Sequence, residues 1–185
     1  MTKILLTYYS HDGQTAKISH HLAGRLRARR LDVDEVDVKH APPPAGYDVV
    51  VAGDSIRLGR HSRALTRYLR RHREALGRLP VALFQVSMTS AQHDAEHDAE
   101  SDRLLARLLD RTGLRPRCTA AFAGALRYTH YGWVTQRVMR SIARREGNAT
   151  DMTSDHEYTD WRVVEAFAVE VESLASADET RSAAS

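Results

Sequence analysis

The chain has 185 residues, 42% hydrophobic and 28% charged, which is enough for one folded domain with a sizeable core and is not the composition of a disordered or fibrous chain. Formal net charge is +3 and the sequence pI is about 9.2; arginine dominates the positive side, a balance that leans toward anionic partners without demanding nucleic acid. A single cysteine, Cys118, excludes an internal disulfide and fits a reducing compartment, the N-terminal M-T-K-I-L-L-T-Y-Y-S is too short for a secretory signal, and no run reaches the roughly 18 apolar residues of a membrane span, so a cytoplasmic location is expected.

Ile4 to Tyr9 is a short apolar, aromatic run and predicts a buried strand. After the loop Ser10 to Gln14, the spacing of Ile18, Leu22 and Leu26 predicts a helix to about Arg30. Val33, Val36 and Val38 alternate with acidic residues, as on an edge strand with one wet face. Pro42, Pro43 and Pro44 mark the connection that follows, either a hairpin or a degraded crossover. V-V-V-A-G, Val49 to Gly53, is the continuous apolar run of a central strand. Leu65, Tyr68, Leu69 and Leu76 predict one helix, Val81 to Val86 a strand after Pro80, and Leu104, Leu105, Leu108 and Leu109 another helix. Thr119 to Ala125 predicts the last strand. Trp161, Val164, Phe167, Ala168, Val171 and Leu174 predict the final helix, with Thr159 or Asp160 as its N-cap. The expected domain spans 1–175, with an insertion at about 126–158 and a disordered tail over 176–185.

Alternating strands and helices imply a doubly wound α/β fold, a five-stranded parallel sheet with helices on both faces. An edge-like second strand and a central third one suit the flavodoxin-like order 2-1-3-4-5, which binds ligands at the carboxyl ends of its strands. The chemistry should then sit at three loops. Ser10, His11, Asp12, Gly13, Gln14 and Thr15 join a strand to a helix N-terminus and read either as a phosphate cradle or as a plain turn capped by Thr15. Ser55, Ile56, Arg57, Leu58 and Gly59 lie in a loop bracketed by Gly53 and Gly59, where backbone can approach a flat ligand. Ser87, Met88 and Thr89 belong to a small, hydroxyl-rich third loop. The economical account of all three is a mononucleotide with its phosphate in the first loop and its ring between the others, which points to FMN.

There is no G-x-G-x-x-G and no Walker lysine. A phosphoacceptor receiver domain shares the topology, but it needs an acidic pair after the first strand and a lysine after the fifth, and only Asp54 matches. His93 and His97, in the repeat H-D-A-E-H-D-A-E, are spaced for a metal pair, yet a solvated acidic first turn explains the run more simply. No metal is expected. Cys118, in an apolar run, reads as a small core residue.

Several strings together resemble the flavodoxin-type protoporphyrinogen IX dehydrogenases: S-H-D-G-Q-T, G-D-S-I-R-L-G, F-A-G-A-L-R-Y-T-H-Y-G-W with R-V-M-R-S-I, and Y-T-D-W before the final helix. The likeness runs from about Lys3 to Leu174, and the third and fourth strings are its most specific parts. The resemblance implies an FMN enzyme that oxidises protoporphyrinogen IX to protoporphyrin IX and passes the electrons to a quinone such as menaquinone. It implies that residues 11–15 hold the phosphate, that the loops at 55–59 and 87–90 flank the flavin, and that Gly124 opens the insertion. Neither flanking loop contains an aromatic ring, so the flavin would be left open to a bulky planar reductant. Tyr128, Tyr131 and Trp133 would line the way in, and Arg127 and Arg137 would meet the substrate propionates as bidentate forks. The same arginines also suit anionic headgroups at the inner face of a membrane. Two other activities stay open, a flavodoxin-type electron carrier and an FMN-dependent quinone reductase, as does a homo-oligomeric state.

Overall fold

The computed structural model describes residues 1–87, 95–126 and 156–182. Its elements run β1 (Lys3–Tyr9), α1 (Gln14–Ala28), β2 (Asp32–Asp37), β3 (Val49–Ser55), α2 (Arg63–Arg71), α3 (Arg73–Leu76), β4 (Val81–Ser87), α4 (Ala95–Thr112), β5 (Cys118–Ala123), β6 (Ala125–Leu126), β7 (His156–Glu157) and α5 (Trp161–Ser182). The five long strands form one sheet in the order β2-β1-β3-β4-β5, and every pairing in it is parallel. This is the expected doubly wound sheet.

Strand pleating divides the core in two. On one face Ile4, Leu6, Val49, Val51, Ala82 and Phe84 pack with α1 and α5 side chains such as Leu22 and Phe167. On the other, Leu5, Val50, Ala52, Val81 and Leu83 pack with leucines of α2, α3 and α4. The connection from β2 to β3 is the degraded crossover, since the two strands flank β1 in parallel with no helix between them. Tyr68 anchors it by donating its hydroxyl proton to the Pro42 carbonyl at 2.7 Å.

Four local expectations change. The single helix expected around Leu65–Leu76 is two, because at His72 (φ −105°, ψ 16°) the chain leaves helical geometry. The last strand ends at Ala123, and after Gly124 a short antiparallel pair, β6 with β7, begins. The final helix runs to Ser182, past Ser176, where a disordered tail was expected. That stretch lacks Gly and Pro and offers Ala, Glu and Arg, which favour helix. Finally, Gly53 serves the core: a Cβ there would lie 2.1 Å from the Phe84 ring. Its bareness makes room for that ring, and no flat ligand is needed to explain it.

Candidate functional site

Parallel register sets the strand ends level. Tyr9 pairs with Asp54, Asp54 with Gln85, and Ser87 with Ala123, so the loops after β1, β3 and β4 leave the same edge of the sheet. Side chains and backbone then join them. The Arg57 guanidinium meets Nε2 of His11, and the Ile56 N–H donates to the Val86 carbonyl at 2.8 Å.

Gly13 shapes the first loop. It is the N-cap of α1 at φ 86°, ψ −15°, a left-handed conformation that strains any residue bearing a Cβ. No side chain caps the helix, and its first turn holds no acidic residue. Thr15, the cap of the plain-turn reading, lies inside the helix and is buried. Ser10 Oγ accepts the Gly13 N–H at 3.1 Å, and His11 Nδ1 lies 2.8 Å from Asp12 Oδ1. A 15-residue helix thus directs its first N–H groups and the positive end of its dipole at the loop, the arrangement that holds a phosphate. Behind it runs a buried relay, in which Gln14 Nε2 donates to Thr159 Oγ1 at 2.9 Å and Thr159 Oγ1 donates to the Ala123 carbonyl at 2.7 Å. Asp160 takes the cap role, accepting the Arg162 N–H at 2.9 Å.

The second loop is a tight hairpin. Arg57 and Arg60 exchange both backbone hydrogen bonds at 3.1 Å, and between them Leu58 (φ 50°) and Gly59 (φ 64°) are both left-handed, the pattern of a type I′ turn. Glycine is at ease there; leucine is not. Leu58 is also 91% exposed. A strained, fully presented apolar side chain at a strand end points to function, and a flavin ring is the kind of surface it would cover. Gly13, the uncapped helix and Leu58 together fit FMN.

Ser87 is buried at the end of β4. Gly124 donates its N–H to the Ser87 carbonyl at 2.9 Å and accepts the Tyr158 N–H at 3.1 Å, which ties both ends of the insertion to the sheet. Met88, Thr89, Arg127, Tyr128, Tyr131, Trp133 and Arg137 lie outside the described residues, as do His93 and His130. Phe122, the first ring of the aromatic string, is a core residue: its ring centroid is 5.5 Å from that of Phe84 and 5.7 Å from that of Phe167. Cys118 is only partly buried, but burial, with Glu170 beside it, pushes its thiol up to about 12, so it is no thiolate nucleophile.

Sequence reasoning missed a carboxylate–imidazole pair. Asp54 is fully buried, and its Oδ2 accepts from His61 Nδ1 at 2.9 Å and from the Ser62 N–H at 2.8 Å. Ser62 in turn caps α2 by accepting the Leu65 N–H at 3.1 Å. Asp54 Oδ1, His61 Nε2 and Gln85 Oε1 are buried without a partner among the described residues. The one available signal was an aspartate at a strand end, and the spacing to His61 belongs to no motif.

Comparison with known proteins agrees with this geometry. The family model described as "Flavodoxin domain" matches residues 5–153. The chain is 31% identical over 174 residues to the protein of Escherichia coli (strain K12) named protoporphyrinogen IX dehydrogenase [quinone], covering 93% of this chain and 96% of that one. A protein of the same name from Leishmania major is 31% identical over 175 residues, covering 93% of this chain and 75% of that one. Among solved structures, two-electron reduced Megasphaera elsdenii flavodoxin superposes with a TM-score of 0.50 at 18% identity, over 64% of this chain and 84% of that one. The chain belongs to the flavodoxin domain family, as a relative of the proteins named protoporphyrinogen IX dehydrogenase [quinone].

Proposed function

We propose that this chain is an FMN-dependent dehydrogenase that oxidises protoporphyrinogen IX to protoporphyrin IX and delivers the electrons to a quinone. The observation that carries the reading is the match to dehydrogenases of that name along 93% of the chain, beyond the flavodoxin core and through the insertion. Six electrons and six protons leave the substrate, and three quinones reduced to quinols balance them. A quinone held in a membrane, menaquinone included, would be met from the membrane surface; among the described residues no helix is long and apolar enough to cross one.

FMN, when bound, supplies two-electron hydride chemistry that no side chain can. The protein supplies placement. The N–H groups at the start of α1, with Ser10 and Gly13, would hold the phosphate, while Gln14 keeps the loop fixed to β5 through Thr159. Leu58 would offer apolar surface to the ring, and Arg57 braces its loop against His11. Tyr128, Tyr131 and Trp133 frame the substrate, with Arg127 and Arg137 adding positive charge that attracts it.

The test is anaerobic. FMN-loaded protein is mixed with protoporphyrinogen IX and a soluble quinone, and porphyrin fluorescence is followed. Porphyrin should form only with both flavin and quinone present, and Gly13→Val should lose FMN and activity together. FMN-loaded wild-type protein that forms no porphyrin sinks the proposal.

A further inference from the structure

The α2 side of the sheet carries a feature that the cofactor does not use. Arg63 and Arg67 stand four residues apart on α2, and Arg107 and Arg111 stand four apart on α4, so each pair occupies one helical row. The rows border adjoining hollows: an open groove of about 640 Å³ bordered by His61, Arg63, Arg67, Arg70 and Arg111, and a cleft of about 220 Å³ bordered by Gly59, Arg60, His61, Arg107 and Arg111. A third hollow, of about 540 Å³, continues past His61 to Ser55, Arg57 and His11 at the cofactor loops. None of these groove arginines has an ion-pair partner among the described residues.

The groove is built. Asp54 fixes both His61 and the N-terminus of α2, which sets the position of Arg63 and Arg67. The His61 side chain is only 8% exposed, and its Nε2 is buried without a partner. His61 borders all three hollows. Several guanidinium forks bordering one concavity suit the planar carboxylates of a discrete ligand. A flat lipid surface cannot enter a concavity and reach a buried imidazole.

We infer that this groove binds the propionate carboxylates of the tetrapyrrole, with Arg63, Arg67 and Arg111 as the pairing groups. The inference rests on the proposed function for the identity of the ligand. Both propionates lie on one edge of the macrocycle, so holding that edge beside the Ser55–Gly59 loop leaves the remainder free to reach the cofactor. Outlying arginines such as Arg70 and Arg107 raise the local potential and steer a dianion in.

The experiment uses the FMN-loaded protein and two redox-inert probes, protoporphyrin IX and its dimethyl ester, titrated by fluorescence quenching. Wild type should bind the diacid at least about tenfold more tightly than the ester. The double variant Arg67→Ala/Arg111→Ala should lose about 10- to 100-fold in diacid affinity and all discrimination, with FMN content unchanged. Arg67→Lys/Arg111→Lys should recover only part, because the charge returns without the fork, and Arg29→Ala, across the sheet, should behave as wild type. A wild type that discriminates while the double alanine variant binds equally well overturns the groove and leaves the proposed function standing. So does a variant that loses only co-sedimentation with phosphatidylglycerol vesicles, which would make the arginines a lipid contact. A wild type that holds FMN yet binds neither porphyrin and forms none overturns both.

Discussion

The two faces of the sheet solve the same packing problem and then diverge. On the α1/α5 face, Phe84, Phe122 and Phe167 form a mutually tilted aromatic cluster, with centroids 5.5 to 5.9 Å apart, and the charges at its rim are matched. Arg25 Nε lies 2.8 Å from Glu165, Arg29 lies 3.6 Å from Glu172, and His21 Nε2 lies 2.5 Å from Glu165. On the α2/α4 face the core is leucine, two buried polar residues, Asp54 and Gln85, lie side by side at its top, and the exposed arginines have no described carboxylate to meet. One face pairs the charges at its rim internally. The other keeps polar capacity that folding does not consume, and that difference separates scaffold from site.

The largest test of the contrast is Phe167→Ala. It should cost about 3–5 kcal/mol in chemical denaturation, the usual range for emptying an aromatic core position, and leave the groove's discrimination between diacid and ester intact. A cost near that of a surface substitution would mean that the aromatic face is not the stability reserve. Next is Asp54→Ala, which removes the acceptor of two buried donors and should cost about 1–3 kcal/mol. If stability instead held or rose, as replacing a buried charge can allow, the carboxylate would serve a ligand more than the fold. The smallest effect is expected for Glu165→Gln, below about 1 kcal/mol for a half-exposed pair. The hydrogen bond from His21, then that from Arg25, hold the Glu165 carboxyl below its ordinary value of 4.5. A carboxyl with a lowered folded pKa contributes its full stability above the ordinary pKa and loses it as pH falls through the folded one. The gap in Tm between wild type and variant should therefore be present at neutral pH and close on acidification below about 4.5; a gap that widened there would reverse the assignment.

Much of this was legible in the sequence, because the strands are short apolar runs and the helices carry clean stripes. V-V-V-A-G reads as a central strand, and S-H-D-G-Q-T as a strand-to-helix turn, either a phosphate cradle or a plain capped turn. What escaped were pairings across distance. Thr159 looks like a cap until Gln14 and the Ala123 carbonyl are brought to its hydroxyl. Gly53 looks like a ligand-approach glycine until Phe84 arrives on the next strand. Asp54 was weighed only as a phosphate acceptor, since nothing in linear order says that the chain will turn back at Leu58 and return His61 to it. Strands of two residues, such as β6 and β7, have too little pattern to announce themselves. The groove was hidden for a similar reason: its arginines come from two helices on either side of β4, and each helix alone reads as a solvated charged surface.

The buried relay from Gln14 through Thr159 to Ala123 has a further consequence. With β6 and β7 it fastens the two ends of the insertion to each other, so the closure entropy of that excursion is already met by the core. Closure cost grows only with the logarithm of length, about 0.6 kcal/mol for each doubling. The insertion can therefore be lengthened, trimmed or exchanged between relatives with little disturbance to the phosphate loop. Because the same relay braces that loop, ligand occupancy at residues 10–15 and clasping of the insertion's ends are linked equilibria, and whatever tightens one tightens the other.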